Sequence, residues 1–387
     1  MYTLFSMRTG KTSRYWQRWI LVGIIAAAVF FRLYRLEDLM VFSGETNNLL
    51  YYIESYLAGE KPWLLGLEAA QYVHHLFHLP WYLWMMIPVY FVGGGNPLVL
   101  AIFQAGIGAL GSYLMWRIGL MLGSREIGLL TAFGYAASFH FSTVERFVSP
   151  VSLVPFGVIG VIYLGLRAKR KQKRLSYLLL GLWAGISVSF HYAFLLGAVF
   201  VLALVFWRQR KFFWPCLGGV ILAFFPLLLF DLRHGFFNLT GLWYVGKSLF
   251  DSTRPYGSSH FIYQLYPLIA IAVAWLLSCL PRKVMYVLAV VFFVTQLVML
   301  KNYEIHPNFS DRRKTVNQIF DNWDNKASVY FKNESSFDYA YLLRRTAKRR
   351  GLDPRSIEIY EPWQPENNAE LAVEDGVIRA RDAVDPD

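Results

Sequence analysis

The chain has 387 residues, of which 56% are apolar, 18% aromatic and only 17% charged. A soluble domain carries roughly a quarter charged residues, and here the apolar residues fall in long uncharged runs, which excludes a string of ordinary soluble domains. The net charge of +12 implies no nucleic-acid partner, because the Lys and Arg residues flank the apolar runs and form no single stripe.

In chain order, Arg8, Lys11, Arg14 and Arg18 precede an apolar run at 19–31. It leads into Phe31-Arg32-Leu33-Tyr34-Arg35 with no small-residue cleavage site, so it reads as an uncleaved first span. A helix needs about 20 apolar residues to cross a hydrocarbon core of about 30 Å. Further spans are expected near 97–116, 127–144, 150–166, 213–231, 262–280 and 284–301. The run 175–207 is too long for one crossing and has His191 near its middle, so it reads as a hairpin of two spans, 175–190 and 193–207. The shorter run 79–92, closed by Gly93-Gly94-Gly95-Asn96-Pro97, reads as interfacial or re-entrant. Cys216 and Cys279 each lie within a span and form no disulfide framework.

The expected fold is an all-α polytopic membrane protein of about nine transmembrane helices. A re-entrant or juxtamembrane helix lies in the first outer loop, 35–96, and a small α/β C-terminal tail follows. Residues 1–301 form the transmembrane module and 302–387 a soluble extracytoplasmic region. In the first loop, 49–57 reads as a short helix ended by Gly59. In the tail, 327–331 and 356–360 read as strands and 338–350 as a helix stopped by Gly351.

Nine spans place 17 Lys and Arg of the short connections on the side of the N-terminus and seven on the other. The positive-inside rule makes the first side cytoplasmic. Of ten acidic residues before residue 302, only Glu126 falls on that side. Acidic groups barely influence topology, so their concentration marks the outer membrane–water interface as the workplace; the expected membrane is the plasma (inner) membrane.

Several residues at that level could carry chemistry. Glu45 lies just beyond the first span, where a carboxylate can take a proton from a hydroxyl nucleophile. Alternatively, it is a solvated loop acid or a charge at a helix N-terminus. Glu145 and Arg146 lie at a span end, either functional or a snorkelling pair. His191, Arg233 and His234 mark two later outer ends and suit the holding of a phosphate, or merely anchor helices. His74, His75 and His78 offer metal-like spacing, but no second cluster completes a ligand set. Gly106-Ile107-Gly108-Ala109-Leu110-Gly111 fits a dinucleotide pattern but lies inside an apolar span, where small residues serve close helix packing.

The order of these signals resembles the integral-membrane glycosyltransferases of the GT-C class, nearest the protein mannosyltransferase and aminoarabinose transferase group (family 39 and 83 types). The resemblance rests on Phe31-Arg32-Leu33-Tyr34-Arg35-Leu36, Met40-Val41-Phe42-Ser43-Gly44-Glu45, and His78-Leu79-Pro80-Trp81-Tyr82-Leu83-Trp84. Glu145-Arg146-Phe147-Val148-Ser149-Pro150, Phe190-His191-Tyr192 and Phe230-Asp231-Leu232-Arg233-His234 complete it. It implies transfer of a sugar from a polyprenyl-phosphate carrier to an acceptor hydroxyl on a lipid, glycan or protein at the outer face, with inversion. By that resemblance Glu45 is the catalytic base, with Glu145 as a second acid. His191, Arg233, Arg146 and His234 bind the donor phosphate, and His78, Trp81 and Tyr82 line the groove for acceptor or lipid. No cofactor is implied with certainty, and a divalent metal is left open. The family usually pairs two acids where this chain has Gly44-Glu45-Thr46, and carries Asp or Asn where it has Ser149. Those departures keep open a non-catalytic GT-C-like subunit with partner membrane subunits. A lipid or solute transporter ranks lower, since internal repeats and mid-span charges are lacking.

Overall fold

The computed structural model describes residues 11–69, 76–248, 259–321, 328–331, 338–353, 358–360, 371–374 and 377–380. Its helices are α1 (Lys11–Leu33), α2 (Leu36–Leu39), α3 (Gly44–Leu57), α4 (Trp81–Val92), α5 (Pro97–Leu122), α6 (Arg125–Ala136), α7 (Phe139–Glu145) and α8 (Val154–Lys171). They continue as α9 (Arg174–Ser187), α10 (Phe194–Arg208), α11 (Phe213–Arg233), α12 (Phe237–Ser248), α13 (Tyr266–Ser278), α14 (Arg282–Asn302), α15 (Phe309–Asp321) and α16 (Ala340–Arg349).

Among the described residues five helical segments are long and apolar enough to cross a membrane: Trp16–Leu33, Pro97–Leu122, Pro150–Lys171, Arg210–Arg233 and Arg282–Asn302. A sixth arises if α6 and α7, bent by 58° at their junction, form one span. The bend has a local cause, because Ser138 caps α7 by accepting from the Phe141 amide and so ends one helix while starting the next. The run 175–207 is two helices, α9 and α10, joined by a short turn that carries His191. At 14 and 15 residues, both are shorter than the roughly 20 residues that a straight crossing needs.

The outward surface is the one a multi-pass membrane protein needs. On α14, Val287, Val290, Val291, Val294 and Val298 are all exposed, and a helix apolar on its outer face is stable only against hydrocarbon or another protein. Inside, helices approach through glycines. A Cβ on Gly181 would run into the carbonyl of Cys216, and one on Gly219 into that of Leu178, so α9 and α11 cross with backbones in contact.

The tail builds α15, α16 and a four-stranded sheet of β1 (Ser328–Phe331), β2 (Glu358–Tyr360), β3 (Leu371–Glu374) and β4 (Val377–Ala380), in the order β2-β1-β3-β4. Strand β1 pairs parallel with β2 and β3, and β3 pairs antiparallel with β4. This region is docked onto the first loop. The Phe309 amide donates to the Met40 carbonyl at 3.1 Å, and the Phe42 and Phe309 rings lie 5.5 Å apart. The Tyr341 amide donates to Asn47 Oδ1 at 2.8 Å, and its hydroxyl donates to the Gly95 carbonyl at 2.7 Å. The tail therefore sits at the bundle end where α3 begins.

Candidate functional site

Glu45 is a helix-start residue, one of the two alternative places its position in the sequence allows. Ser43 is extended and its hydroxyl accepts from the Glu45 amide at 3.3 Å, so α3 begins at Gly44 and Glu45 lies in its first turn. There the helix dipole and the unpaired amides favour its negative charge. The carboxylate is exposed, while Thr46 and Asn47 behind it are buried.

The segment 147–149 braces this turn from the side. Ser149 Oγ donates to Glu45 Oε2 at 2.7 Å, and Thr46 Oγ1 donates to the Val148 carbonyl at 3.1 Å. The Phe147 carbonyl accepts from Gln104 Nε2 on α5 at 2.5 Å, and Gln104 Oε1 accepts from the Tyr82 hydroxyl at 3.2 Å. The Glu45 charge also bears on the hydroxyls of Tyr82 and Tyr263. Three chain segments far apart in sequence thus fix one exposed carboxylate. Ser149 engages one oxygen, and no described hydrogen bond occupies the other.

A second cluster gathers around His191. Its Nδ1 accepts from the Ala193 amide at 3.1 Å, which puts the proton of a neutral ring on Nε2. The His78 ring stacks on Tyr192 with centroids 4.8 Å apart, and the Tyr192 hydroxyl donates to the Phe77 carbonyl at 2.5 Å. The Phe77 amide donates to Asn238 Oδ1 at 2.8 Å. Asp231 accepts from the amides of Asn238 at 2.8 Å and Leu239 at 3.1 Å, so it caps α12. Burial, reinforced by His191, lowers His78 from 6.5 to about 3 and leaves it neutral at physiological pH. The first turn of α4 joins the two clusters: Tyr82 faces Gln104, and Trp81 Nε1 donates to the Ala223 carbonyl of α11 at 2.7 Å.

Four sequence-derived assignments take a different place in the structure. Glu145 is no solvent-facing acid: it is 2% exposed, paired with the fully buried Arg32 at 2.5 Å, and it accepts a hydrogen bond from Tyr135. Arg146 is fully buried as well. It donates to the carbonyls of Phe31, Arg32 and Tyr34, so it closes the C-terminus of α1, where the dipole favours a cation. His78 and Tyr82 are buried at 9% and 2% exposure and line no open groove, because stacking and the Gln104 hydrogen bond draw them into the core. Trp81 is half-buried beside them. Arg233 and His234 are exposed at the end of α11, with the His234 ring stacked on Phe230 at 4.0 Å. His74 and His75 lie outside the described residues. Among the described residues no three His, Cys, Asp or Glu side chains converge as metal ligands.

Ser149 is the residue that sequence reading undervalued: its only signal was its position before Pro150, where the resembling family carries Asp or Asn. Gln104 and Tyr263 gave none, being single polar residues within or at the edge of apolar runs. The rejected glycine pattern does have a use. A Cβ on Gly108 would run into both Glu145 and Arg32, so that glycine makes room for the buried ion pair.

No protein-family model matches the sequence, and no curated protein matches it. The similarity is in the fold. The Archaeoglobus fulgidus oligosaccharyltransferase in its apo form matches with a TM-score of 0.54 and 12% identity, over 92% of this chain and 66% of that one. The same protein in complex with Zn and sulfate matches with a TM-score of 0.51 and 13% identity, over 89% and 62%. Thus this chain spans about two thirds of the oligosaccharyltransferase. ArnT from Cupriavidus metallidurans in the apo state matches with a TM-score of 0.50 and 13% identity, over 86% and 85% of the two chains. At 12–13% identity the likeness is one of fold, and the fold shared with these two proteins is the one that the sequence resemblance implied.

Proposed function

We propose that this protein is a membrane glycosyltransferase that moves a sugar from a polyprenyl-phosphate carrier to an acceptor hydroxyl, inverting the anomeric centre. The observation that carries the proposal is the exposed Glu45 carboxylate, held from behind by Ser149 at 2.7 Å, at the bundle end covered by the docked tail. With one oxygen held, the other is free to accept the acceptor's proton. The acceptor oxygen forms a bond to the anomeric carbon as the bond to the carrier phosphate breaks. The proton ends on Glu45, and the phosphate leaves as a stable anion that needs no general acid. His191, with its Nε2–H turned away from the Ala193 amide, and the exposed Arg233 and His234 are the donors for that phosphate. Arg146 is left out, since its hydrogen bonds close α1. Glu145 is left out because it neutralises Arg32.

Nine crossings, an inner-membrane location and an extracytoplasmic tail belong to the same proposal, with residues 1–301 as the transmembrane module. The bond of the Asn47 side chain to Tyr341 supports a shared side for the tail and Glu45. The described residues furnish no group of three His, Cys, Asp or Glu side chains for a divalent metal. The test offers purified protein in lipid a panel of labelled polyprenyl-phosphate sugars. The wild-type chain releases label from one donor, and Glu45→Gln, equally expressed and monodisperse, does not. Equal release by both would remove Glu45 from the mechanism. No release from any donor by folded wild type would favour the non-catalytic subunit.

A further inference from the structure

Across the bundle from Glu45, the far ends of α5 and α8 enclose a cavity of about 410 Å³ lined by Arg117, Met121, Tyr163, Arg167, Arg170 and Lys171. From Pro97 to Arg117 is 20 residues of continuous helix, roughly 30 Å at 1.5 Å per residue. The cavity therefore lies toward the opposite end of α5 from the candidate site, about 20 Å along the helix from the Gln104 side chain that braces it. Its cations are brought together by helix geometry. Arg117 and Met121 are one turn apart on α5, while Tyr163, Arg167, Arg170 and Lys171 follow one face of α8 at spacings of four, seven and eight.

Four positive side chains in one recess repel each other, and no described ion pair supplies a carboxylate to any of them. Two are oriented by neutral partners: Arg117 donates to the Tyr113 hydroxyl at 3.1 Å and Arg170 to the Met121 carbonyl at 2.6 Å. Those bonds hold the guanidinium groups in place without neutralising them. The remaining lining is the thioether of Met121 and the ring of Tyr163, at the ends of two helical segments long and apolar enough to cross a membrane. Bare electrostatic positioning of helix ends needs neither a cavity nor fixed guanidinium groups.

We infer that this recess binds the phosphate headgroup of an anionic phospholipid, with the acyl chains running down the outer faces of α5 and α8. The phosphate accepts charge-assisted hydrogen bonds from Arg117 and Arg170, with Arg167 and Lys171 closing over it. A lipid headgroup fits better than a dissolved anion, because the recess pairs its cations with apolar walls at the membrane surface.

The full-length protein, purified in mild detergent, is titrated with phosphatidylglycerol, phosphatidylcholine or inorganic phosphate, and bound lipid is counted by native mass spectrometry. The expected result is at least tenfold preference for phosphatidylglycerol over phosphatidylcholine. The exposed pair Arg167→Gln/Lys171→Gln abolishes it, and the control pair Arg208→Gln/Lys211→Gln, outside the cavity, preserves it. Equal loss in both pairs would reduce the cluster to generic surface charge and overturn the inference. So would the absence of any lipid preference, with or without binding of inorganic phosphate.

Discussion

The buried Arg32–Glu145 pair offers the sharpest test of the packing. Both groups are essentially removed from solvent, at 0% and 2% exposure, and Arg146 stands fully buried nearby as a second guanidinium. Replacing Glu145 by Leu leaves two uncompensated cations, with only carbonyls to hold Arg32 at 3.0 Å (Ala28) and 3.1 Å (Ala136). Breaking a buried pair by removing one partner costs about 3–5 kcal/mol. At about 2.1 cal/mol/K per residue, the unfolding entropy of this chain is about 0.8 kcal/mol/K. Glu145→Leu is therefore expected to lower the melting midpoint by roughly 5 °C. The double variant Arg32→Met/Glu145→Leu removes both charges and should recover most of that loss, since apolar replacement of a whole buried pair is often neutral or stabilising. The assay is tryptophan-fluorescence melting of the purified protein in one detergent, run as a double-mutant cycle. A double variant whose loss equals the sum of the two single losses would refute the reasoning, because the pair would then carry no coupling.

Other outcomes follow from the same geometry. Ser149→Ala removes a hydrogen bond to a charged acceptor, a contribution of about 1.5–3 kcal/mol at most sites. With Glu45 exposed the lower figure applies, giving about a tenfold loss of transfer at single turnover and an unchanged melting midpoint. Gly108→Ala drives a methyl group into the Arg32–Glu145 pair and should destabilise the fold as much as Glu145→Leu, read in the same melting assay. His78 is held neutral down to about pH 3 against 6.5 when unfolded, so the unfolded chain binds the extra proton. Its contribution is fully present above pH 6.5 and is lost as pH falls toward 3, by up to about 1.4 kcal/mol per pH unit. His78→Phe should flatten the fall in melting midpoint between pH 6 and pH 4. Tyr341→Phe removes the hydrogen bond to Gly95, about 1 kcal/mol, and should raise the rate of limited proteolysis of the tail about fivefold.

Much of the architecture was legible in the sequence because hydrocarbon imposes a simple rule: runs of about 20 uncharged residues become helices. Each apolar run named as a span contains a helix, but among the described residues only five segments, or six with α6 and α7 joined, are long and apolar enough to cross a membrane; the turn at His191 lies where its interruption of residues 175–207 placed it. Helix starts set by a single capping side chain were harder to see. Ser43 carries no periodic signal, so the sequence places the start of α3 several residues late and leaves Glu45 open between a loop acid and a helix N-terminal charge. Strands β3 and β4 fall in a mixed-charge stretch with no alternation strong enough to announce them.

For the site, sequence by itself determined which residue types stand at one end of the helices: an acid after the first span, a histidine at a hairpin tip, an arginine at the end of a later helix. Residue order carried the likeness to GT-C transferases, which the shared fold supports. Pairing was decided only in three dimensions, because it depends on contacts between residues about a hundred positions apart. Glu145 and Arg146 look alike in sequence to Glu45 and Arg233, as charges at span ends. Tertiary packing buries the first two against Arg32 and the carbonyls of α1, and leaves Glu45 exposed with Ser149 beside it. Burial is what separates them, since a charge in the core must be spent on its partner, while one at the surface stays available for chemistry.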